Sequence, residues 1–108
     1  MDEIRAVEIL AALGNEKRLQ IFRLLVQAGH GGLNIGEIQL QLVIPPSTLA
    51  HHISALVKGG LVSQDKIGRE IICKAKYETL ENVFTFMMDF LGPRLEGEFK
   101  VTYFSIIN

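Results

Sequence analysis

Residues 46–59, PSTLAHHISALVKG, separate apolar from polar positions on a helical wheel. At about 100° per residue, Leu49, Ile53 and Leu56 fall on one narrow stripe. The polar positions on the opposite side are Ser47, His51, Ser54 and Lys58. Hydroxyl and imidazole groups without a carboxylate suit a helix lying in a DNA major groove. An ordinary amphipathic surface helix would show the same separation, so the neighbouring elements must decide between the two.

Three further helices are predicted before this segment. Helical spacing of apolar residues covers 3–13, 16–28 and 35–42, and glycines follow the first two ranges. The inner face expected for the second helix consists of Leu19, Phe22, Leu25 and Val26. Asn34 is a suitable N-cap for the third helix, and Pro46 stands in the first turn of the fourth, where proline is tolerated. Two short helices joined by the turn 43–45 form a helix-turn-helix.

A β-hairpin is predicted after Gly59 and Gly60. Two β-prone stretches, 61–67 and 70–74, flank Gly68 and Arg69. The tip of this hairpin would present Lys66 and Arg69 beside the fourth helix, as the wing of a winged helix-turn-helix does. The predicted fold class is therefore mainly α with a β-hairpin wing, in the order α-α-α-α-β-β-α.

The last predicted helix, 77–91, is apolar around most of its circumference. Such a helix must be buried on more than one side, which favours a two-fold homodimer formed through the first and last helices. The predicted dimer contacts are Ile4, Val7, Leu80, Val83, Phe84, Met87, Phe90 and Leu91. We assign residues 1–91 to one DNA-binding and dimerisation domain. Residues 92–108 are a C-terminal extension that contains the β-prone run KVTYFSII, and we give it no predicted structure.

Length and composition indicate a single small domain. The chain has 108 residues, 48% of them hydrophobic, and a domain of this size gains from oligomerisation. No stretch approaches the roughly 18 apolar residues of a membrane span, and the N-terminus begins with acids, so we expect a cytoplasmic protein. A lone cysteine, Cys73, excludes an internal disulfide framework and is expected to be a small buried apolar residue.

Charge is distributed unevenly along the chain. The net charge is −1, but residues 17–76 hold eight bases and three acids, whereas the segments 1–16 and 77–108 are each net acidic by three. A cationic middle region can bind phosphate although the whole molecule is nearly neutral.

Four collinear segments resemble one family. ALGNEKRLQIFRLL, STLAHHISAL, GGLV and GREIICKA are similar to the opening helix pair, recognition helix, glycine step and wing of the ArsR/SmtB family of bacterial winged-helix repressors. The resemblance covers about residues 5–91.

The resemblance implies roles for individual residues. Ser47, Thr48 and His51 would approach bases or phosphates, and His52 would help to dock the helix at its shoulder. The cations implied to hold the DNA backbone are Lys58, Lys66 and Arg69. His52 also lies near the apolar stripe, so a purely structural role stays open for it. For Arg18 we favour bracing between helices over DNA contact.

The chain departs from this family at the metal sites. Relatives that sense soft metals carry paired cysteines in the third helix, whereas residues 32–38 here are GLNIGEI. Relatives that bind zinc through the last helix use histidines, and no histidine follows His52. Asp89 and Glu81 alone are poor ligands for such metals. We therefore expect no metal site and no cofactor, and the effector is unknown.

These observations predict a sequence-specific DNA-binding transcriptional regulator. We expect a homodimeric repressor that binds double-stranded DNA at a palindromic operator, with no catalytic residues and no membrane partner. The alternative is a winged-helix protein-interaction module that binds a partner through the last helix and the C-terminal tail. An enzyme is not expected, because no histidine has a thiol or carboxylate at catalytic spacing and no phosphate-binding loop is present.

Overall fold

The structure, a computed structural model, describes residues 1–91, with side chains for residues 1–89. The helices of this part of the chain are α1 (Glu3–Leu13), α2 (Glu16–Ala28), α3 (Ile35–Gln41), α4 (Pro46–Lys58) and α5 (Tyr77–Leu91). The strands are β1 (Leu33–Asn34), β2 (Val62–Ile67) and β3 (Glu70–Ala75). A short 3-10 turn, Gly29–Gly31, joins α2 to β1. The predicted extension 92–108 lies outside the described residues.

The predicted order of helices and hairpin is confirmed, and the sheet contains one strand more than predicted. Strands β2 and β3 pair in antiparallel register from Val62 opposite Ala75 to Ile67 opposite Glu70. Gly68 at the turn has a φ of 65°, a conformation that glycine adopts without strain. Strand β1 pairs with the other edge of β3, which gives the sheet order β1-β3-β2. A two-residue strand is too short to show alternation, so the sequence pattern did not reveal it.

Side-chain caps determine where the first three helices begin. The Asp2 carboxylate accepts a hydrogen bond from the backbone N–H of Arg5 at 2.7 Å, and Asn15 caps α2 in the same way. Asn34 and Glu37 form a reciprocal capping box at the start of α3. Because each cap satisfies helix N–H groups that have no partner within the helix, these positions favour helix initiation there.

The core lies between α1, α2, α4 and the base of the hairpin. Leu49, Ile53 and Leu56 of α4 are all buried, which confirms the apolar stripe predicted for this helix. In α2, however, the buried residues are Ile21, Phe22 and Leu25. Of the inner face expected there, Leu19 and Val26 are exposed, because α2 is rotated so that Ile21 faces the core.

Candidate nucleic-acid interface

Helix α4 presents a polar face opposite its buried stripe. Ser47, Thr48 and His51 are exposed, as is Lys58 in the last turn of the helix. The helix contains no acidic residue. Pro46 occupies the first turn, and no side chain caps the N-terminus. An exposed helix surface with hydroxyl, imidazole and ammonium groups is able to donate and accept hydrogen bonds at base edges and phosphates.

His52 lies on the buried side of α4, away from this exposed face. Its side chain is only 8% exposed, and its Nδ1 has no hydrogen-bond partner. Burial lowers the pKa of His52, and the positive charges of Arg18, His51 and Lys17 lower it further. The resemblance implies that His52 helps to dock the helix at its shoulder, and the structure places its imidazole on the buried side of α4, away from the exposed polar face. Its position agrees with the structural role that the sequence left open.

The hairpin places cations at its exposed tip. Lys66 and Arg69 flank the turn at Gly68, and both are exposed. Within the described part of the chain, neither has an ion-pair partner. The neighbouring acid Asp65 is paired with Lys74 at 3.2 Å, so this carboxylate is partly neutralised. Glu70, adjacent to Arg69, is also exposed and accepts a hydrogen bond from Asn34 Nδ2 at 3.2 Å. The tip therefore projects two unpaired cations beside one acid.

A cleft of about 360 Å³ separates α4 from the hairpin. Ser54 and Val57 line it from α4, and Gln64 and Ile71 line it from β2 and β3. The Gln64 side chain donates a weak hydrogen bond to Cys73 Sγ at 3.7 Å. The sequence pattern does not single out Gln64, since its place at this surface depends on how the hairpin packs against α4.

Two hydrogen bonds from distant helices fix the C-terminal end of α4. Arg5 Nη2 in α1 donates to the Gly59 carbonyl at 2.9 Å. Thr79 Oγ1 in α5 donates to the Gly60 carbonyl at 2.6 Å. Because carbonyls at a helix end lack partners within the helix, these two side chains satisfy them and orient the exposed face.

The residues predicted for a dimer interface fall into three groups. Ile4, Val7, Phe84 and Met87 are exposed apolar side chains on α1 and α5. Leu80 is half-buried against the core. Val83 is 1% exposed and belongs to the core of its own subunit, so its predicted place in the interface is corrected. The side chains of Phe90 and Leu91 lie outside the described residues.

Among the described residues, no group of three or more His, Cys, Asp and Glu side chains is close enough together to hold a metal ion. Cys73 is buried on β3, as expected. Burial raises the pKa of the Cys73 thiol, and the hydrogen bond from Gln64 opposes this rise only in part. A buried thiol with a raised pKa is a poor nucleophile and a poor metal ligand.

A helix-turn-helix packed on a three-helix core, with a cationic hairpin beside its second helix, defines the winged helix-turn-helix class of DNA-binding proteins. No helix in the described part of the chain is long and apolar enough to cross a membrane.

Sequence comparison agrees with this class. A family model described as a helix-turn-helix domain matches residues 13–65. The chain is 36% identical over 64 residues to MJ1325, an uncharacterised HTH-type transcriptional regulator of Methanocaldococcus jannaschii, a match that covers 59% of this chain and 70% of that protein. It is 37% identical over 62 residues to the transcriptional activator HlyU of Vibrio cholerae, with 57% of this chain and 55% of HlyU covered. The match thus spans just over half of HlyU.

Solved structures extend the similarity beyond the helix-turn-helix. An ArsR-like transcriptional regulator from Rhodococcus sp. RHA1 superposes with a TM-score of 0.71 and 26% identity, over 84% of this chain and 82% of that one. The homodimeric winged helix-turn-helix domain of Mb0332 from Mycobacterium bovis, a possible ArsR-family regulator, gives a TM-score of 0.64 and 26% identity, over 85% and 82%. The chain belongs to the ArsR family of winged helix-turn-helix transcriptional regulators. The relatives are regulators of transcription and not enzymes.

Proposed function

We propose that this regulator acts as a homodimer that binds a palindromic operator and represses transcription. The observation that carries the proposal is the exposed polar face of α4, formed by Ser47, Thr48 and His51. It lies next to a hairpin whose cations Lys66 and Arg69 have no partner in the described part of the chain. A base-contacting surface beside a phosphate-contacting surface is what sequence-specific binding requires.

The proposed contacts divide between specificity and affinity. Ser47, Thr48 and His51 contact base edges or nearby phosphates from α4, while Lys58, Lys66 and Arg69 contact the DNA backbone. Phosphate contacts supply affinity that depends on salt concentration, and base contacts supply discrimination between sites. Since the target is genomic DNA, we place the protein in the cytoplasm.

Homodimer formation follows in this proposal from the apolar side chains that α1 and α5 expose. Ile4 is 74% exposed, and Val7, Phe84 and Met87 are also exposed. An unpartnered apolar surface of this kind is costly in water and is typical of subunit contacts. In a two-fold dimer, the two copies of α4 would enter successive major grooves about 34 Å apart, so the operator would be an inverted repeat. We assign residues 1–91 to this DNA-binding and dimerisation unit.

Repression is the regulatory outcome we favour, since a small dimer bound across a promoter excludes polymerase without further contacts. HlyU is an activator, so the opposite outcome must be tested directly. We propose that any effector is not a metal ion, because the family's paired thiols and histidines are missing from the aligned positions of the sequence.

The decisive experiment is a binding assay with fluorescent DNA fragments that flank the protein's own gene. We expect a protected inverted repeat in footprinting and reduced transcription from that promoter in a purified system. The Ser47→Ala/His51→Ala double variant should lose protection, whereas Arg23→Gln, a substitution on the exposed part of α2, should retain it. Absence of binding to every fragment at low salt overturns the proposal. Increased transcription on binding overturns only the repressor assignment.

Sedimentation distinguishes the proposed regulator from the alternative function, a protein-interaction module. A dimer in the absence of partners, combined with DNA binding, supports the regulator. A monomer that associates only with another protein supports the module. The exposed apolar residues of α1 and α5 are compatible with both functions, and the polar face of α4 favours the first.

A further inference from the structure

A cleft of about 600 Å³ lies between α1, α2 and α4, outside the proposed base-contacting face. Small residues line the region where the helices come together: Ala12 of α1, Ala55 of α4, and Gly59 at the end of α4. A Cβ atom on Gly59 would stand 2.9 Å from Cβ of Ala12, so the two segments are in close contact there. The cleft has room for a small polar group or for part of a larger ligand.

Two cations line this cleft without an ion-pair partner in the described part of the chain. They are Arg18 from α2 and Lys58 from α4. Arg18 Nε is buried and has no hydrogen-bond partner, although buried donors are normally paired. Among the described residues, the only acid lining the cleft is Glu8, and its carboxylate is paired with Arg5 at 3.3 Å. The cleft is therefore lined by uncompensated positive charge, and the Nε of Arg18, which solvent does not reach, is an unused donor.

The effect of this charge is visible at a neighbouring group. The pKa of the His52 imidazole is lowered mainly by burial, and next by the positive charge of Arg18. A guanidinium forms paired, directional hydrogen bonds with tetrahedral oxyanions, and a nearby ammonium adds a second point charge.

We infer that the cleft between α1, α2 and α4 binds a phosphate group through Arg18 and Lys58. The phosphate has two sources that share this chemistry: the DNA backbone, or a free phosphorylated small molecule. If the phosphate belongs to DNA, the inference rests on the proposed DNA-binding function. Binding of free phosphate does not depend on that function, so the phosphate site and the proposed function can fail separately.

The first experiment follows backbone amide resonances of the full chain during a titration with inorganic phosphate, against chloride at equal ionic strength. We expect saturable, phosphate-specific shifts at residues around Arg18 and Gly59. Arg18→Gln should weaken the apparent affinity by about fivefold or more, because the charged hydrogen bonds are lost. The matched control is Arg23→Gln, which lies on the same helix, removes the same charge and should leave the titration unchanged. Equal shifts with chloride, or equal affinity in Arg18→Gln, overturn the inference.

Lys58→Gln keeps the inference testable if Arg18→Gln fails to fold, since Lys58 is exposed and its replacement should not unfold the domain. We expect the same loss of phosphate affinity in this variant, and unchanged affinity would overturn the assignment.

The second experiment distinguishes the two sources. The logarithm of the DNA association constant is measured against the logarithm of salt concentration for wild type, Arg18→Gln and Arg23→Gln. If the cleft holds a backbone phosphate, Arg18→Gln should reduce the slope by about one, with no change in site preference. If it holds a free phosphorylated molecule, the slope stays unchanged while phosphate affinity falls. Both results support a phosphate site, and they identify which ligand occupies it.

Discussion

Arg5 donates a hydrogen bond from Nη2 to the backbone carbonyl of Gly59 at 2.9 Å, across 54 positions of sequence. Through this contact, the helix that carries Ile4 and Val7 is joined to the end of the helix that carries the polar face. Thr79 of α5 makes the equivalent contact with Gly60. Both helices proposed for dimer formation therefore hold the orientation of α4.

Arg5→Gln should destabilise the fold by about 1 kcal/mol, because the Gly59 carbonyl loses a charged donor at a partly exposed site. The measurement is the free energy of unfolding in urea. The control is Glu8→Gln, which removes only the exposed ion pair between Glu8 and Arg5 and should change stability by no more than about 0.5 kcal/mol. Equal losses in the two variants would show that the contact with Gly59 contributes nothing.

Two leucines of the helix-turn-helix should differ strongly in their tolerance to truncation. Leu49 of α4 is fully buried, whereas Leu40 of α3 is 87% exposed. Leu49→Ala should cost about 2–5 kcal/mol through lost burial and the resulting cavity, whereas Leu40→Ala should change stability by no more than about 0.5 kcal/mol. Urea unfolding measures both. A cost below about 1 kcal/mol for Leu49→Ala would contradict the placement of this residue in the core.

Stability should fall on mild acidification because of His52. Its pKa in the folded protein lies below the usual value of 6.5, while the unfolded chain titrates near that value. As pH falls below about 6.5, the unfolded state gains a proton that the folded state resists, so the free energy of unfolding decreases. Above that pH both states are neutral at this residue, and it adds no pH dependence.

Urea unfolding between pH 7.5 and about pH 5.5 tests this prediction above the range where carboxylates titrate. The wild type should lose stability over this range, and His52→Gln should lose less. His51→Gln, which removes one of the lesser charges that lower the pKa of His52, should reduce the dependence less than His52→Gln does. If the free energy of unfolding changes with pH as steeply in His52→Gln as in wild type, another group is responsible.

Replacing a cation at the hairpin tip should weaken binding to all DNA sequences alike. Lys66→Ala and Arg69→Ala each remove a proposed phosphate contact, so each should reduce the slope of binding against salt by about one. Fluorescence anisotropy with specific and unrelated duplexes measures this. Arg23→Ala is a suitable control, because Arg23 is an exposed cation on α2 and not on the hairpin. A change in site preference in Lys66→Ala or Arg69→Ala would contradict their assignment to the backbone.

Replacing His51 should instead alter site preference. His51→Ala removes the imidazole at the centre of the exposed face of α4. Specific binding should weaken by about 1–3 kcal/mol, with nearly unchanged binding to unrelated DNA. Competition binding with a library of operator variants measures the preference at each position. An unchanged preference profile would remove His51 from the residues that contact bases.

Sequence periodicity predicted much of this fold because its elements are locally encoded. The buried stripe of Leu49, Ile53 and Leu56 follows from the helical repeat, and the hairpin follows from a glycine turn between two β-prone segments. Caps such as Asn34 act within one helical turn, so their effect is visible in the sequence itself. The exposure of Ser47 and His51 followed from the same repeat, whereas Thr48 was indicated only by the family resemblance.

Other features depended on how the elements pack together. Strand β1 has only two residues and exists because β3 offers an edge with which it pairs. His52 lies at the margin of its apolar stripe, and Val83 belongs to a helix that is apolar around most of its circumference, so packing against neighbouring elements decided the burial of both. No periodicity of α1 indicated that Arg5 reaches Gly59.

The sequence by itself determined the class of fold, the two faces of α4 and the absence of paired thiols that a metal switch of this family would use. The tertiary structure alone decided the contacts between helices, in which Arg5 bonds the Gly59 carbonyl and Thr79 bonds the Gly60 carbonyl. It also decided that Arg18 and Lys58 line one cleft. The physical reason is that helical periodicity acts over three or four residues, whereas these contacts depend on the relative positions of elements far apart in the chain.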